Sequence, residues 1–451
     1  MATHPIAAIG DESHFRITAL RKRQRAESPA SLSCADPETT NTKELNIMKI
    51  LVIGGGFAGV WSAAAAARVG RDNGSTGTRP NITLVSDSDE MVIRPRLYER
   101  DPVQMSVLLD RVLKPIGVER VRARVTDIDT AAKAVTVIDS TDRVRVLDYD
   151  RLVLASGSQV LRPDLPGREF LFNIDTISAA DSLERHIQRL RVISDGLAHE
   201  GRFTAVVIGA GFTGLEIATE LMGRLREMAE ASSVQAKVIL VDRSTEVGPQ
   251  LGEGPRPSIT SALDRLGIEV RLGSGVSEAS DSQVTLIDGE VIPASTTVWT
   301  VGMTASPLTA MIPGDRDALG RLVVDEYLRV PSTPDVYAAG DTAAAPVEDG
   351  HVTMQSCQHA TPLGKFAGHN VAADLLGLQP VAFAPNPYVT CLDLGGAGAV
   401  LTTGWDREVQ MTGNDAKAFK HRINTEWIYP PVDDAETILE QADYRYTWSV
   451  D

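Results

Sequence analysis

The sequence predicts an α/β protein in which two βαβ units share one chain, and three observations predict it. The apolar run Ile50-Leu51-Val52-Ile53 leads directly into Gly54-x-Gly56-x-x-Gly59 and then a helix-like segment. Ala205-Val206-Val207-Ile208 leads in the same way into Gly209-x-Gly211-x-x-Gly214. Further on, Pro334-Asp335-Val336-Tyr337-Ala338-Ala339-Gly340-Asp341 sets another buried strand against a tight glycine turn and an acid. A short β-branched run, glycines and then a helix form the strand–turn–helix that seats a pyrophosphate. The glycines let backbone N–H groups approach the phosphates, and the helix N-terminus adds a partial positive charge. Two such motifs predict two dinucleotides.

Length and composition bound the rest. A chain of 451 residues is long enough for two or three domains with ample core. Hydrophobic residues make up 43% and charged residues 23%, as in ordinary globular proteins. A net charge of −16 argues against nucleic acid and anionic membrane surfaces as main partners. No apolar run approaches the ~18 residues that span a bilayer. The three cysteines, Cys34, Cys357 and Cys391, include no Cys-x-x-Cys pair, which argues against a disulfide framework and a zinc site. A cytoplasmic protein without metal is expected.

Residues 1–47 differ in character from the remainder of the chain. They are rich in Ser and Thr, carry the basic cluster Arg21-Lys22-Arg23-Arg25, and show little periodic hydrophobicity. Their acids, among them Asp11, Glu12 and Glu27, do not suit a mitochondrial presequence. A disordered extension is expected, or an upstream start with Met48 as the working one. From Met48 the pattern is β-α-β, with Ala63–Ala67 giving the first helix a small-residue face and a Gly/Ser/Thr loop at 70–78 leading to Ile82–Val85. Strands at Val121–Val125, Ala134–Ile138 and Arg143–Leu147 read as an antiparallel crossover, and Arg151–Ala155 as a buried strand. Ala179–Leu197 suits an amphipathic helix with Leu183, Ile187 and Leu190 on one face. Lys237–Val241 reads as the second strand of the second unit, and Val298–Gly302 as a strand returning to the first. After about residue 380 come strands and turns, a glycine patch at Gly395–Gly398, and Trp405, Trp427 and Trp448.

In this order the motifs resemble the pyridine-nucleotide-dependent FAD oxidoreductases, and within them most closely the type II, non-proton-pumping NADH dehydrogenases, over Met48–Leu376. The resemblance implies two Rossmann-like domains, the NAD(P) domain inserted in the FAD domain, plus a small C-terminal α+β domain. FAD would take residues 48–165 and 295–380, NAD(H) 166–294, and the third domain 381–451. Gly54, Gly56 and Gly59 would hold the FAD pyrophosphate. Leu154-Ala155-Ser156-Gly157 is similar to the family's Ala-Thr-Gly turn, and Gly340-Asp341 to its second FAD signature, with Asp341 bonding the ribityl or phosphate end. Ser86, followed by Asp87, stands where many relatives carry a ribose-binding acid. Gly209, Gly211 and Gly214 would take the nicotinamide cofactor. Asp242 would accept hydrogen bonds from its adenosine ribose and repel a 2′-phosphate, favouring NADH over NADPH; the adjacent Arg243 pulls the other way. Glu216 matches a family glutamate near the nicotinamide, and is equally a favourable charge near a helix N-terminus.

The acceptor is the open question, because the cofactors carry the hydride chemistry. Phe57–Arg71 holds no cysteine, which excludes the family's dithiol relay; Cys357 and Cys391 read as buried structural thiols. Met354-Gln355-Ser356-Cys357-Gln358-His359-Ala360 resembles the start of the quinone-pocket helix. Gln355 matches the pattern there, while Gln358 and His359 replace its paired glutamines. His359 has two readings, a quinone-bonding or proton-supplying residue and a side chain that bonds backbone. Ile93-Arg94-Pro95-Arg96-Leu97-Tyr98 is similar to the family's Arg-Pro-Leu-Leu-Tyr stretch with Arg96 replacing an apolar residue, either beside the flavin or at the surface. The leading expectation is hydride transfer from NADH to FAD and two electrons onward to a quinone. The alternatives are a reductase of a rubredoxin, a ferredoxin or a small molecule, and a redox sensor like apoptosis-inducing factor. Lys417, Lys420, His421 and Arg422, beside Phe419, Ile423, Trp427 and Ile428, suit peripheral membrane contact. Pro430-Pro431 and the acidic 432–443 favour instead a domain packed over the flavin or against a second subunit of a homodimer.

Overall fold

Strands buried on both faces set the frame. The computed structural model describes residues 48–74, 79–191, 200–230 and 234–447. The expectations for the 1–47 extension, for positions 75–78 of the 70–78 loop, for the helix beyond Arg191 and for Trp448 lie outside these residues. In chain order the first unit begins with β1 (Lys49–Ile53), α1 (Phe57–Asn73), β2 (Asn81–Ser86), β3 (Glu119–Asp129), β4 (Ala134–Asp139), β5 (Val144–Asp148) and β6 (Arg151–Leu154). A short strand β7 (Ser158–Val160) leads to α2 (Ile177–Leu190), β8 (Thr204–Ile208), α3 (Phe212–Ala229), β9 (Lys237–Val241), α4 (Arg256–Leu266), β10 (Glu269–Arg271) and β11 (Thr296–Trp299). The chain returns through β12 (Met303–Ala305) to β13 (Arg329–Val330), β14 (Thr333–Ala338) and α5 (Cys357–Leu375). It ends with β15 (Val389–Asp393), β16 (Ala399–Thr403), β17 (Glu408–Thr412), α6 (Gly413–Arg422) and α7 (Ala435–Gln441).

The first sheet has eight strands in the order β13-β14-β6-β1-β2-β3-β4-β5. β1 pairs in parallel with both β2 and β6, and β6 with β14. Buried on both faces, these central strands are continuous apolar runs rather than alternating ones. The long β3 joins β2 in parallel and β4 antiparallel, so the expected antiparallel crossover continues the main sheet. The second sheet, β10-β9-β8-β11, is all parallel. It lies in the chain between β6 and β14, so the second unit is inserted in the first.

One expectation is corrected here. The Val298–Gly302 run, read as the strand returning to the first unit, divides. Its first half belongs to β11, which pairs with β8 inside the second sheet. The return is made by β12, which pairs antiparallel with the outgoing β7. An apolar Val-Trp pair fits either sheet, and the sequence pattern does not say which sheet edge is vacant.

Two helices cross closely over the first sheet. A Cβ on Gly364 would stand 2.4 Å from Ala58 O, and one on Gly368 2.1 Å from Ser62 O. The small residues of α1 therefore serve the contact with α5 as well as the sheet; Ala63–Ala66 are all buried. α2 buries Ala180, Leu183, Ile187 and Leu190 on its expected face. The C-terminal part is a three-stranded antiparallel meander with helices, and its glycine patch has a packing reason. A Cβ on Gly395 would meet Thr219 O at 2.7 Å, so the turn after β15 rests directly on α3. Among the described residues, no helix is long and apolar enough to cross a membrane.

Candidate active site

The two glycine loops repeat one geometry. Gly54 and Gly209 follow their strands at φ +119° and +111°, a conformation L side chains rarely adopt. A Cβ on Gly59 would lie 1.9 Å from Gly54 O, and one on Gly214 1.8 Å from Gly209 O. The outer glycines thus make the turn and the tight strand–helix contact. The middle ones differ. A Cβ on Gly56 would meet nothing within 4 Å, and one on Gly211 only Gln250 Oε1 at 3.8 Å. Each middle glycine is the residue before the first turn of a long helix, α1 or α3. Open space against backbone N–H groups and a helix N-terminus is what a pyrophosphate requires, so both loops fit a dinucleotide.

What stands at the end of each second strand differs. Asp242, just after β9, turns its carboxylate into its own glycine loop: Oδ2 accepts from Ala210 N at 2.6 Å and Oδ1 from Ser244 N at 2.7 Å. Each oxygen keeps a lone pair for a ribose hydroxyl. Ser86 occupies the matching place at the end of β2, accepting from Ser88 N at 3.2 Å. Asp242→Ala should weaken NADH binding by about 1–3 kcal/mol, the worth of charge-assisted hydrogen bonds. The dissociation constant from a fluorescence titration checks this, and an unchanged value removes Asp242 from the site.

Around the second FAD signature, Gly340 turns at φ +69° with its Cα facing Ala58, and Asp341 follows it, largely buried. Ser158 Oγ donates to Asp341 Oδ2 at 2.6 Å, and Arg94 Nη1 stands 3.7 Å away. Burial pushes the Asp341 carboxyl up from its ordinary range, against the pull of Ser158 and Arg94. Gly157, one residue earlier than Ser158, sits at φ +71° with no atom within 4 Å of an added Cβ. Gln355 Nε2 donates to Asp341 O at 3.2 Å, which places it at this site.

His359 and Gln358 are turned inward. His359 is buried, stacks on Tyr388 at 4.7 Å between centroids, and accepts on Nδ1 from Met354 N at 3.1 Å. Burial lowers its pKa to about 4. With Nδ1 accepting from Met354 N, the neutral ring keeps its proton on Nε2. The Gln358 amide faces both backbone groups of Val389.

Glu216 lies in the second turn of α3 and is buried, paired with Lys420 of α6 at 2.9 Å. Asp393 N donates to the same oxygen at 3.2 Å, and Lys420 Nζ also donates to Cys391 O at 3.0 Å. Burial pushes the Glu216 carboxyl up to about 7, although Lys420 draws it down. Burial acts to lower the Lys420 ammonium, yet Glu216 leaves its pKa raised. Asp393 accepts from Tyr98 Oη at 3.0 Å and pairs with Lys417 at 2.5 Å. Cys357 is the first residue of α5, and the charges of Lys420, Asp341 and Glu216 all act on its thiol. Burial raises the thiols of Cys357 to about 11 and Cys391 to about 12, which suits structural cysteines.

Sequence reasoning missed Lys420, Lys417 and Asp393 as site residues. Lys417 and Lys420 looked like part of a basic surface patch, and nothing local reveals that each is paired inside the fold. Arg96, the other departure, is tied by Glu99 at 2.6 Å and Tyr429 Oη at 2.8 Å and belongs to the contact with the C-terminal part.

Two Rossmann-like units, the second inserted in the first, with a dinucleotide loop in each and the acid Asp341 after strand β14, define a flavoprotein oxidoreductase of the two-dinucleotide class. Residues 48–364 match the pyridine nucleotide-disulphide oxidoreductase family. The chain belongs to that family and is an FAD-dependent NAD(P)H dehydrogenase. It is 44% identical over 393 residues, 87% of this chain and 96% of the other, to an NADH dehydrogenase-like protein of Mycobacterium tuberculosis. It is 29% identical to the demethylphylloquinone reductase of Synechocystis, over 78% of this chain and 86% of that one. The structure of NDH2 from Plasmodium falciparum with NADH shares the fold at TM-score 0.70 and 13% identity, covering 87% and 96% of the two chains.

Proposed function

We propose that this chain oxidises NADH and passes two electrons to a quinone. The observation that carries the reading is the buried Glu216–Lys420 pair. NADH, a quinone and one proton give NAD⁺ and a hydroquinone, so the enzyme must take up one proton per turnover. A carboxyl that keeps its proton to about pH 7 beside a buried ammonium is a proton donor suited to that task. FAD, when bound, supplies the two-electron chemistry between the nicotinamide and the acceptor.

In this reading Gly54, Gly56, Gly59, Ser86, Gly157, Gly340 and Asp341 hold FAD. Gly209, Gly211, Gly214 and Asp242 hold the nicotinamide cofactor, and the anionic Asp242 disfavours a 2′-phosphate. Gln355 lies on the acceptor side, fixed by the Asp341 carbonyl. His359 orders the start of α5 from behind. The demethylphylloquinone reductase relative supports the acceptor class. Lys420 is buried in its pair with Glu216, and the partly exposed Lys417 pairs with the buried Asp393, so α6 serves the site.

The test is steady-state oxidation of NADH, with NADPH in parallel, by FAD-loaded protein given a short-chain quinone. Turnover well above the oxygen background, faster with NADH, is expected. If NADH bleaches the flavin and quinone adds nothing, the quinone reading falls and a protein or pathway-specific acceptor replaces it. Slow bleaching with a long-lived charge-transfer band would point to a sensor.

A further inference from the structure

The chain passes between its two nucleotide-binding units twice, out through β7 and back through β12, and these strands pair with each other. A cationic side chain from the first unit reaches this crossing. Arg94 opens a short helical turn, Arg94–Arg96, that follows a buried isoleucine, Ile93. Its Nη1 donates to Ser158 Oγ at 2.8 Å and to Ser158 O at 3.4 Å. Its Nη2 donates to the Asp175 carboxylate and to Met303 Sδ at 3.3 Å. Asp175 Oδ2 in turn accepts from Val160 N at 2.9 Å, and Ser158 Oγ donates to Asp341 Oδ2 at 2.6 Å. Both crossing strands, the segment leading into α2, and Asp341 therefore meet on one guanidinium.

The residue type suits the task. A guanidinium holds five donors in a rigid plane, so it can face two directions at once, whereas an ammonium is a point charge on a flexible stem. The side chains of Arg94, Asp175 and Asp341 are only 29%, 14% and 16% exposed, and screening by water is correspondingly weak. The neighbouring Arg96 takes no part, being tied to Glu99 and Tyr429.

We infer that Arg94 is a positioning residue with two arms: through Ser158 it sets Asp341 for FAD, and through Asp175 it fixes the crossing that orients the second unit for hydride transfer. This uses the FAD and NAD(P) binding of the family and does not depend on the acceptor.

Three variants separate the arms: Arg94→Met, Ser158→Ala and Asp175→Asn. Each is read by FAD titration of flavin-stripped protein, by anaerobic reduction of the loaded protein with NADH, and by amide exchange at Val160. Ser158→Ala should weaken FAD about tenfold and leave the reduction rate within about twofold, as expected for one charge-assisted hydrogen bond. Asp175→Asn should hold FAD within about twofold, slow reduction about tenfold, and speed exchange at Val160. Arg94→Met should do both, and Arg94→Lys should not restore either arm. The inference is overturned if folded Asp175→Asn reduces as fast as the parent with unchanged exchange at Val160. It is equally overturned if Ser158→Ala holds FAD as tightly as the parent. Should Arg94→Met not fold, those two near-isosteric variants decide the matter. No readout includes an acceptor, so failure of the quinone reading would leave all of them unchanged.

Discussion

Gly56→Val should yield protein that melts like the parent but is isolated without flavin, and Gly211→Val should yield yellow protein that NADH no longer bleaches. The expectation rests on where the new side chains would go. Gly56 has φ −86° and Gly211 φ −79°, extended conformations that valine adopts without strain. An added Cβ meets no protein atom within 4 Å at Gly56, and only the end of Gln250 at Gly211. Neither change disturbs the core. Both fill the space in front of a helix N-terminus, where a pyrophosphate must come against backbone N–H groups. Losing that approach should weaken the dinucleotide by more than about a hundredfold, since an overpacked contact costs about 1–3 kcal/mol and lost phosphate hydrogen bonds add to it. The flavin-to-protein ratio and anaerobic bleaching measure the two effects separately. The reverse pattern would exchange the two loops. Full flavin and normal bleaching in both variants would mean that neither loop seats a cofactor. Gly59→Ala and Gly214→Ala are poorer tests, because their Cβ atoms strike backbone oxygens and confuse folding with binding.

These loops were legible in the sequence because a pyrophosphate site is local. Strand, glycines and helix lie within about 25 consecutive residues, and each glycine has a steric reason that the spacing alone conveys. The same holds for Gly340-Asp341, where the turn and the acid are adjacent. Asp242 could be placed because the strand that ends there is itself a continuous apolar run. Legibility ends where chemistry is assembled across the chain. Glu216 and Lys420 are 204 positions apart, and they meet where the C-terminal part, through Gly395 against Thr219, packs closely on α3. In the sequence, Lys420 is one of four cations beside aromatics and reads as surface. The setting of His359 is hidden for a related reason. Its position at the start of α5 was visible, but its burial against Tyr388 and Trp405, residues of the C-terminal part, was not. Arg94 was visible only as part of a motif, because both strands of the crossing it joins are three residues long and too short to show a period.

Glu216→Gln should slow reduction of a quinone by roughly a hundredfold, the low end of what a positioned general acid contributes. Bleaching of the flavin by NADH should change little. Glutamine keeps the shape and can still accept from Asp393 N and Lys420 Nζ, so the change removes a proton rather than a contact. The pH dependence has a definite sign. Burial raises the carboxyl to about 7, and the donor is its protonated form, whose fraction falls as pH rises. The parent's quinone-dependent rate should therefore decline as pH passes upward through about 7, with the apparent pKa belonging to the Glu216–Lys420 pair. In Glu216→Gln this limb should flatten, and the residual rate should vary little between about pH 6 and 8. The stranded Lys420 charge is a separate effect, because breaking a buried pair destabilises by about 3–5 kcal/mol. A Glu216→Gln/Lys420→Met double variant removes it. If the double variant regains stability and stays slow, the loss is one of proton supply. If it regains the parent's rate and alkaline limb, the pair is structural, and the proton must enter elsewhere. In that case Asp393, held by Tyr98 and the partly exposed Lys417, is the next carboxylate in line.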